Sequence, residues 1–453
     1  MTTSDTLHVL YPASSISAML QTGPRRMASA KGTRVTDDRG HELIDGTAGL
    51  WCVNIGHGRE EIAQTLAEAS RNLDYFHTFG GFSNAAQEKL GDRLVAMAPG
   101  DLNHVFFGSS GSDANDTIVK IVWHYNNLRG RPNKKQIVSR WGSYHGTSIS
   151  TASLTGLKGF HDQFDLPIAR ILHTECPHAY RFAKDGEDEQ AFSARLVETF
   201  KQLIHDQGAD SIAAFIGEPV LGAGGVVPPP AGYWAGIEQV CRENEILLIA
   251  DEVVCGYGRT GSDFGSQTYD IKPDLMATAK GLTSGIFPMS AAFLTDEIWE
   301  VLREGSQKLG GFSHGYTYSG HPIGAAVANT VLDIYAREGL AENARKVGAH
   351  LMSRLQAELG DHPHVGEIRG VGLLGAVQLV EDKPSRKLFD PARKIPAAVA
   401  EAAYAAGLIV RPLPSIGALA FSPPLTLTLA EADEIVARFL PAFEAALMTK
   451  LKA

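Results

Sequence analysis

Two residues in this chain have the chemistry of a cofactor-dependent enzyme. The apolar run Ile246-Leu247-Leu248-Ile249-Ala250 stops at Asp251, and Leu275-Met276-Ala277-Thr278-Ala279 stops at Lys280. Short apolar runs flanked by turn residues read as strands buried on both faces. Ligands of open α/β sheets lie just beyond the carboxyl ends of such strands, so the two runs bring one acid and one amine to one crevice. A lysine there forms a Schiff base with an aldehyde, of which pyridoxal phosphate (PLP) is the common example. An aspartate against the pyridine nitrogen keeps it protonated, and the ring then accepts electrons. An isolated lysine at a strand end snorkels, and an isolated aspartate caps a turn. Three further features change that balance.

The first is a strand, His104-Val105-Phe106-Phe107, that runs into Gly108-Ser109-Ser110-Gly111-Ser112. A helix follows, with Ile118, Ile121, Val122 and Tyr125 on one face. Strand, small-residue turn and helix N-terminus make an anion site, because free N–H groups and the helix dipole face outward. An N-cap explains one serine of this turn but not a turn made wholly of Gly and Ser, so Ser110, Gly111 and Ser112 read as a phosphate cradle. The second is Tyr144 in Trp141-Gly142-Ser143-Tyr144-His145-Gly146, just past the strand Gln136–Ser139, where an aromatic can stack on a flat ring. The third is Glu218, which ends the buried strand Ile212–Gly217 beside Asp251.

Two other patterns invite chemistry and fail on spacing. Gly256-Tyr257-Gly258-Arg259-Thr260-Gly261 has the G-x-G-x-x-G form. A dinucleotide site needs those glycines to open a helix directly after a strand, whereas five residues intervene and no helical periodicity follows. His173, Cys176 and His178 resemble metal ligands, but they lie too close together for a structural zinc site and lack a fourth ligand. They read as a loop.

The elements that position these residues alternate between strand and helix over 453 residues, enough for two or three subdomains. Residues 1–60 read as an irregular arm with a hairpin through Arg34-Val35-Thr36 and Glu42-Leu43-Ile44. Trp51 there either fills the core or lines a pocket. A helix covers Glu60–Asp74. Met289–Leu294 reads as a strand, and a helix from Ile323 leads out of the large domain. Beyond about residue 330 helix and strand alternate again: Arg369-Gly370-Val371-Gly372 precedes a strand, Ala406–Pro412 is strand-like with Arg411 at its end, and Leu429–Lys450 closes the chain as an amphipathic helix. The domains expected are 1–60 (arm and part of a small domain), 61–330 (large) and 331–453 (small). The hydrophobic fraction of 44% and charged fraction of 20% are globular values. A net charge of -10 argues against nucleic acid. No uncharged apolar run approaches the ~20 residues of a membrane helix. Four cysteines without framework spacing, and an N-terminus without signal-peptide features, suit the cytoplasm.

Taken together, Gly49-Leu50-Trp51, Ser109-Ser110-Gly111-Ser112, Tyr144-His145-Gly146, Gly217-Glu218-Pro219, Asp251-Glu252-Val253, Lys280-Gly281, His314-Gly315-Tyr316-Thr317-Tyr318-Ser319-Gly320-His321-Pro322 and Arg411 resemble the motifs of class III (subgroup II) PLP-dependent aminotransferases. Within that class the chain is most similar to the omega-amine, amine–pyruvate branch, and the resemblance spans essentially its whole length. It implies an α/β chain of fold type I, with a mainly parallel sheet in the large domain and a smaller α/β domain. It also implies a homodimer with its active site at the interface, and two small-molecule substrates, an amine donor and a keto-acid acceptor.

The same resemblance implies the residue roles. Lys280 carries the Schiff base and moves the substrate proton, and Asp251 pairs with the ring nitrogen. Tyr144 and Val253 cover the two ring faces, with His145 part of the Tyr144 motif. Ser110, Gly111 and Ser112 hold the phosphate, helped by Thr317 from the partner subunit, and Glu218 supports the ring's polar edge. Trp51, Tyr144, Phe79 and Phe82 shape the substrate pockets. Arg411 resembles a mobile arginine that binds a keto-acid carboxylate and swings out for an uncharged amine. Two positions depart from the family: Asp113 where glutamate is usual, and Leu221 where glutamine is frequent. Ala223 stands where the ornithine and 4-aminobutyrate branches place a glutamate, which favours hydrophobic omega-amines. The cofactor residues alone equally suit an aminomutase, a racemase or an amino-alcohol-phosphate lyase on the same frame.

Overall fold

The computed structural model describes residues 7–452. Its central sheet is built from apolar runs buried on both faces: β1 (His104–Gly108), β2 (Gln136–Arg140), β3 (Ile171–Thr174), β4 (Ile212–Gly217), β5 (Leu247–Asp251), β6 (Leu275–Thr278) and β7 (Ser290–Leu294). Their spatial order is β1-β7-β6-β5-β4-β2-β3. Only β7 runs against its neighbours β1 and β6; β2 to β6 are mutually parallel. Side chains alternate between the two faces. Phe215 and Leu248 meet Phe192, Phe200 and Trp234 on one side. Ala214, Ile216 and Ile249 meet Ile118 and Val122 on the other. Those last two belong to α1 (Gly111–Leu128), whose buried stripe Ile118, Ile121, Val122 and Tyr125 is the predicted one. Burying each such side chain contributes roughly 1.5–3 kcal/mol, and this fixes the start of α1 against the ends of β5 and β6.

The hairpin expected near the N-terminus forms between Arg34–Asp37 and Glu42–Asp45. It is flanked by Met27–Lys31, and by Leu408–Ile409 running parallel to Glu42–Asp45. A third sheet pairs Val365–Val371, Leu374–Leu379, Ala418–Phe421 and Arg411–Leu413, all antiparallel. Arg369-Gly370-Val371 thus lies inside a strand rather than before one. The glycines mislead here: a Cβ on Gly370 would stand 2.6 Å from the Leu374 carbonyl oxygen, so close backbone approach, not a turn, demands the residue. The helix Pro322–Glu338 ends at Gly339, in the left-handed region at φ 59°, and Leu340–Leu359 follows. The first predicted helix spans Glu60–Asn72 and stops as Leu73 turns extended.

Candidate active site

Asp251 ends β5 in register with Ala277 of β6, three residues before Lys280, so the acid and the amine share one crevice as expected. Asp251 is almost wholly buried. Its Oδ2 accepts from His145 Nδ1 (2.7 Å) and Asn115 Nδ2 (2.8 Å), and its Oδ1 from the Val253 N–H (3.1 Å). Three donors fix the carboxylate's orientation. Asn115 also donates to the His145 carbonyl (2.9 Å), so α1, the Tyr144 turn and β5 are joined at one atom cluster. Asn115 was missed in the sequence; the available signal was an amide in the buried face of α1.

Lys280 is held with φ at +40°, a conformation that costs about 1–3 kcal/mol in a non-glycine residue. Burial pushes its amine below the ordinary lysine range, against the opposing pull of Cys52, Asp251 and Glu218. The following Gly281 is obligatory: a Cβ there would meet Asn54 Nδ2 at 2.6 Å and Tyr257 Cβ at 3.1 Å. Tyr335 donates to the Gly281 carbonyl at 2.7 Å.

The β1–α1 turn does double duty. Ser110 caps α1, its Oγ accepting from the Asp113 N–H at 3.1 Å, while Asp113 Oδ2 accepts from the Ser109 N–H at 3.0 Å. The cap reading of Ser110 therefore holds, and the departure at Asp113 is a shorter side chain turned back onto its own loop. The first-turn N–H groups of Gly111 and Ser112 have no intrahelical acceptor. Val253 closes over Gly111, where a Cβ would stand 3.0 Å from both its methyls. Ser112 Oγ accepts from the Thr147 N–H at 3.2 Å, which draws the Tyr144-His145-Gly146 turn against the cradle.

Glu218 is buried, and burial raises its carboxyl above the ordinary range. Both oxygens are engaged by backbone: Oε1 accepts from the Tyr144 N–H (3.0 Å) and Oε2 from the Gly222 N–H (2.8 Å). The Tyr144 ring lies edge-on to Phe160, with centroids 5.5 Å apart. Trp51 is buried at φ +58°, and the Arg411 guanidinium lies over its ring, 4.5 Å from the centroid. Four buried polar atoms of this group have no partner among the described residues: Trp51 Nε1, Asn115 Oδ1, His145 Nε2 and Arg411 Nε.

Three expected residues are not brought to the crevice within this chain. Phe79, Phe82 and Thr317 are exposed. Phe82 packs edge-on to Phe76 at 5.1 Å, and Tyr75 donates to the Thr317 carbonyl at 2.7 Å. The other patterns resolve into structure. The Gly256–Gly261 turn opens no long helix; only Gly265–Thr268 follows. Its Arg259 is fully buried and donates to Leu373 O, Pro423 O and Asn54 Oδ1 at 2.5–2.9 Å, so this turn seats the C-terminal sheet. His173 stacks on Trp141 at 4.4 Å, and His178 pairs with Glu367 at 3.2 Å.

The chain matches the family Aminotransferase class-III over residues 19–443. It is 49% identical over 416 residues to the diaminobutyrate–2-oxoglutarate transaminase of Halomonas elongata, covering 91% of this chain and 89% of that protein. It is 40% identical over 430 residues to the putrescine–pyruvate aminotransferase of Pseudomonas aeruginosa, covering 95% and 92%. An omega transaminase of Pseudomonas jessenii, solved in complex with PMP, superposes with a TM-score of 0.95 at 42% identity, covering 97% of each chain. The chain therefore belongs to the class-III aminotransferases, transaminases of fold type I that use PLP. The residues present fit that cofactor. A helix N-terminus with free N–H groups faces a cleft at Gly111 that a Cβ would fill, and a fixed carboxylate and a buried amine stand at adjacent strand ends.

Proposed function

We propose that this aminotransferase moves an amino group from a hydrophobic amine or omega-amino acid to a small keto acid, pyruvate first among them, by ping-pong kinetics. Arg411 carries the reading. It is half-buried, with an enclosed Nε that has no partner among the described residues, lies over Trp51, and pairs with no carboxylate among those residues. A guanidinium drawn out of water without a counter-ion is unfavourable, and a keto acid's carboxylate supplies a bidentate one. Ala223 packs into the apolar cluster around Trp51 and offers the arginine no acid. The seat on the Trp51 ring is worth about 0.5–2 kcal/mol, little enough for the guanidinium to swing out when an uncharged amine binds. The putrescine–pyruvate relative supports the acceptor.

Bound PLP supplies an aldehyde for the incoming amine and a ring that accepts electrons. The chain's residues do the rest. The Lys280 amine, disfavoured as a cation by burial, takes the proton from the donor's α-carbon and returns one in the second half-reaction. Asp251 faces the ring nitrogen, with its orientation set by His145, Asn115 and Val253. Ser110, Gly111 and Ser112 hold the phosphate, and Val253 and Tyr144 flank the ring. Glu218 acts through the Tyr144 and Gly222 backbone. Trp51 and Tyr144 bound the substrate pocket.

Phe79, Phe82 and Thr317 complete the site of a partner subunit. Tyr75, Phe76, Phe79, Phe82 and Tyr318 are exposed together beside Thr317, and clustered exposed aromatics mark an interface. The proposed protein is thus a homodimer, divided into 1–60, 61–330 and 331–453 around its three sheets. Its four unpaired cysteines fit the cytoplasm. The test is the visible spectrum of the purified holoenzyme. An aryl-ethylamine added without keto acid should abolish the yellow absorbance, and pyruvate should restore it; a band unmoved by amines and amino acids alike refutes the reading.

A further inference from the structure

The seam between the large domain and the C-terminal sheet is not solidly packed. A cavity of about 460 Å³ opens along it, between Pro228–Pro230 on one side and Met352, Gln356 and Glu367–Gly370 on the other. One buried arginine bridges the seam beside this cavity. Arg369, in the strand Val365–Val371, donates from Nε and Nη2 to the Gly225 carbonyl (3.0 and 2.6 Å) and from Nε to the Val226 carbonyl (3.1 Å). Its Nη1 pairs with Glu367 at 2.6 Å. Its Nη2 also reaches Gln378 Oε1 at 3.3 Å, and Gln378 Nε2 donates to the carbonyls of Ile416 (2.6 Å) and Gly417 (3.1 Å).

The two backbone segments gripped in this way both lead to the active site. Gly225 and Val226 close a turn by donating to the Gly222 carbonyl at 3.0 and 2.9 Å. Gly222 in turn donates to Glu218, which holds Tyr144, and Ala223 lies within this turn. Ile416 and Gly417 belong to the turn that joins Arg411–Leu413 to Ala418–Phe421. The two turns touch: Gly225, at φ +133°, has no room for a Cβ, which would meet Ile416 Cδ1 at 2.6 Å and Arg369 Nη2 at 3.1 Å. Beneath them Trp51, Val220, Val226, Val254, Leu413 and Ile416 form one apolar cluster.

We propose that Arg369, with Gln378, is a positioning residue for keto-acid binding: it clamps the Glu218–Val226 turn to the hairpin that carries Arg411 and so sets where that guanidinium stands. This rests on the acceptor role proposed for Arg411. The planar fork of arginine is what lets one side chain serve two carbonyls, a carboxylate and an amide at once, and lysine cannot reproduce it. Neither Arg369 nor Gln378 touches Lys280, Asp251 or the phosphate cradle, and Glu218 keeps its own bond to the Tyr144 N–H, whereas Gln378 holds the Arg411 hairpin directly. Loosening the clamp therefore moves the keto-acid site first and leaves the amine half-reaction much less affected.

The test separates the two half-reactions of the holoenzyme by rapid-mixing absorbance. Amine alone is followed first, then a keto acid added back, for wild type, Arg369→Lys, Gln378→Met and their double variant. The apparent affinity for pyruvate should fall about tenfold in Arg369→Lys, as for the loss of one charged hydrogen bond. The amine half-reaction should stay within about twofold, and the double variant should fall short of the product of the single effects, as coupled residues do. Ile416→Val, which trims the methyl resting on Gly225 and keeps the fold, should shift the same affinity in the same direction. Equal losses in both half-reactions, or a lowered melting temperature with unchanged pyruvate affinity, overturn the proposal, as does an Ile416→Val enzyme indistinguishable from wild type. If wild type ignores pyruvate but answers to 2-oxoglutarate, the acceptor reading falls, and the clamp is judged by the same split with that acid.

Discussion

Replacing Gly111 with alanine puts a methyl group into the cleft between α1 and Val253. The new Cβ would stand 3.0 Å from each Val253 methyl, against an optimal carbon separation of roughly 3.5–4.0 Å. Val253 cannot yield easily. It is β-branched and stiff at χ1, and its N–H is tied to Asp251 Oδ1 at 3.1 Å. The strain must then move the first turn of α1, and with it the N–H groups of Gly111 and Ser112. Overpacking of this kind costs about 1–3 kcal/mol; at the middle of that range, cofactor affinity falls about 30-fold. The assay is a titration of the apoenzyme with PLP by absorbance, repeated in a Val253→Ala background, which removes both clashing methyls. The Gly111→Ala penalty should shrink there to less than about threefold, a non-additivity that marks direct contact. Wild-type affinity in Gly111→Ala, or a penalty equally large without the Val253 methyls, would refute the steric argument.

Asn115→Leu should cost about 1–3 kcal/mol of stability, since it leaves buried Asp251 one donor short; Asn115→Asp should be worse, because it sets a second carboxylate against Asp251, and melting curves rank the two. Arg411→Gln should lower kcat/KM for pyruvate by about 10- to 100-fold, the loss of a charged bidentate pair, with the amine half-reaction unchanged; loss in both halves would deny the arginine its assigned substrate. Burial raises the Glu252 carboxyl to about 7 from an ordinary 4.5, despite donors from Gly265 and Ser266. Native Glu252 then keeps a proton that the unfolded chain has released, so its contribution to stability is full below pH 4.5 and is lost as pH rises through about 7. The melting-temperature gap between wild type and Glu252→Gln should narrow across that window, and a constant gap would contradict the assignment.

The sequence disclosed the parts of this site that are marked by period and by strand ends. Buried strands read as short apolar runs because both faces are covered, so the strand ends at or just before Asp251, Glu218 and Lys280 were legible. The stripe on α1 was legible from its 3.6 period. Asn115 was not, because a buried amide inside a helix looks like any polar residue until its partners, 30 and 136 positions away, are known. Arg369 was hidden by its own neighbourhood. Gly370 and Gly372 suggested a loop before a strand, when the strand already contains both Arg369 and Gly370. The Gly256–Gly261 pattern opens no long helix, as its spacing predicts, but its use as a seat for the C-terminal sheet depends on Arg259 reaching residues 114 and 164 positions further on.

The strain at Lys280 shows why such long-range contacts matter more than the local motif. A lysine at φ +40° would relax if its neighbours allowed it. Gly281 is wedged among Asn54, Tyr257 and Tyr335, and Asn54 donates to the Tyr257 carbonyl (3.1 Å) and accepts from Arg259 (2.6 Å). The arm, the Gly256–Gly261 turn and the helix Pro322–Glu338 therefore meet at the residue after Lys280. Together they hold the Lys280–Gly281 link in place. The dipeptide Lys280-Gly281 is a motif because the space for a second side chain has been taken by residues over two hundred positions apart. Lys280 is placed by the packing of the whole chain rather than by the strand that delivers it.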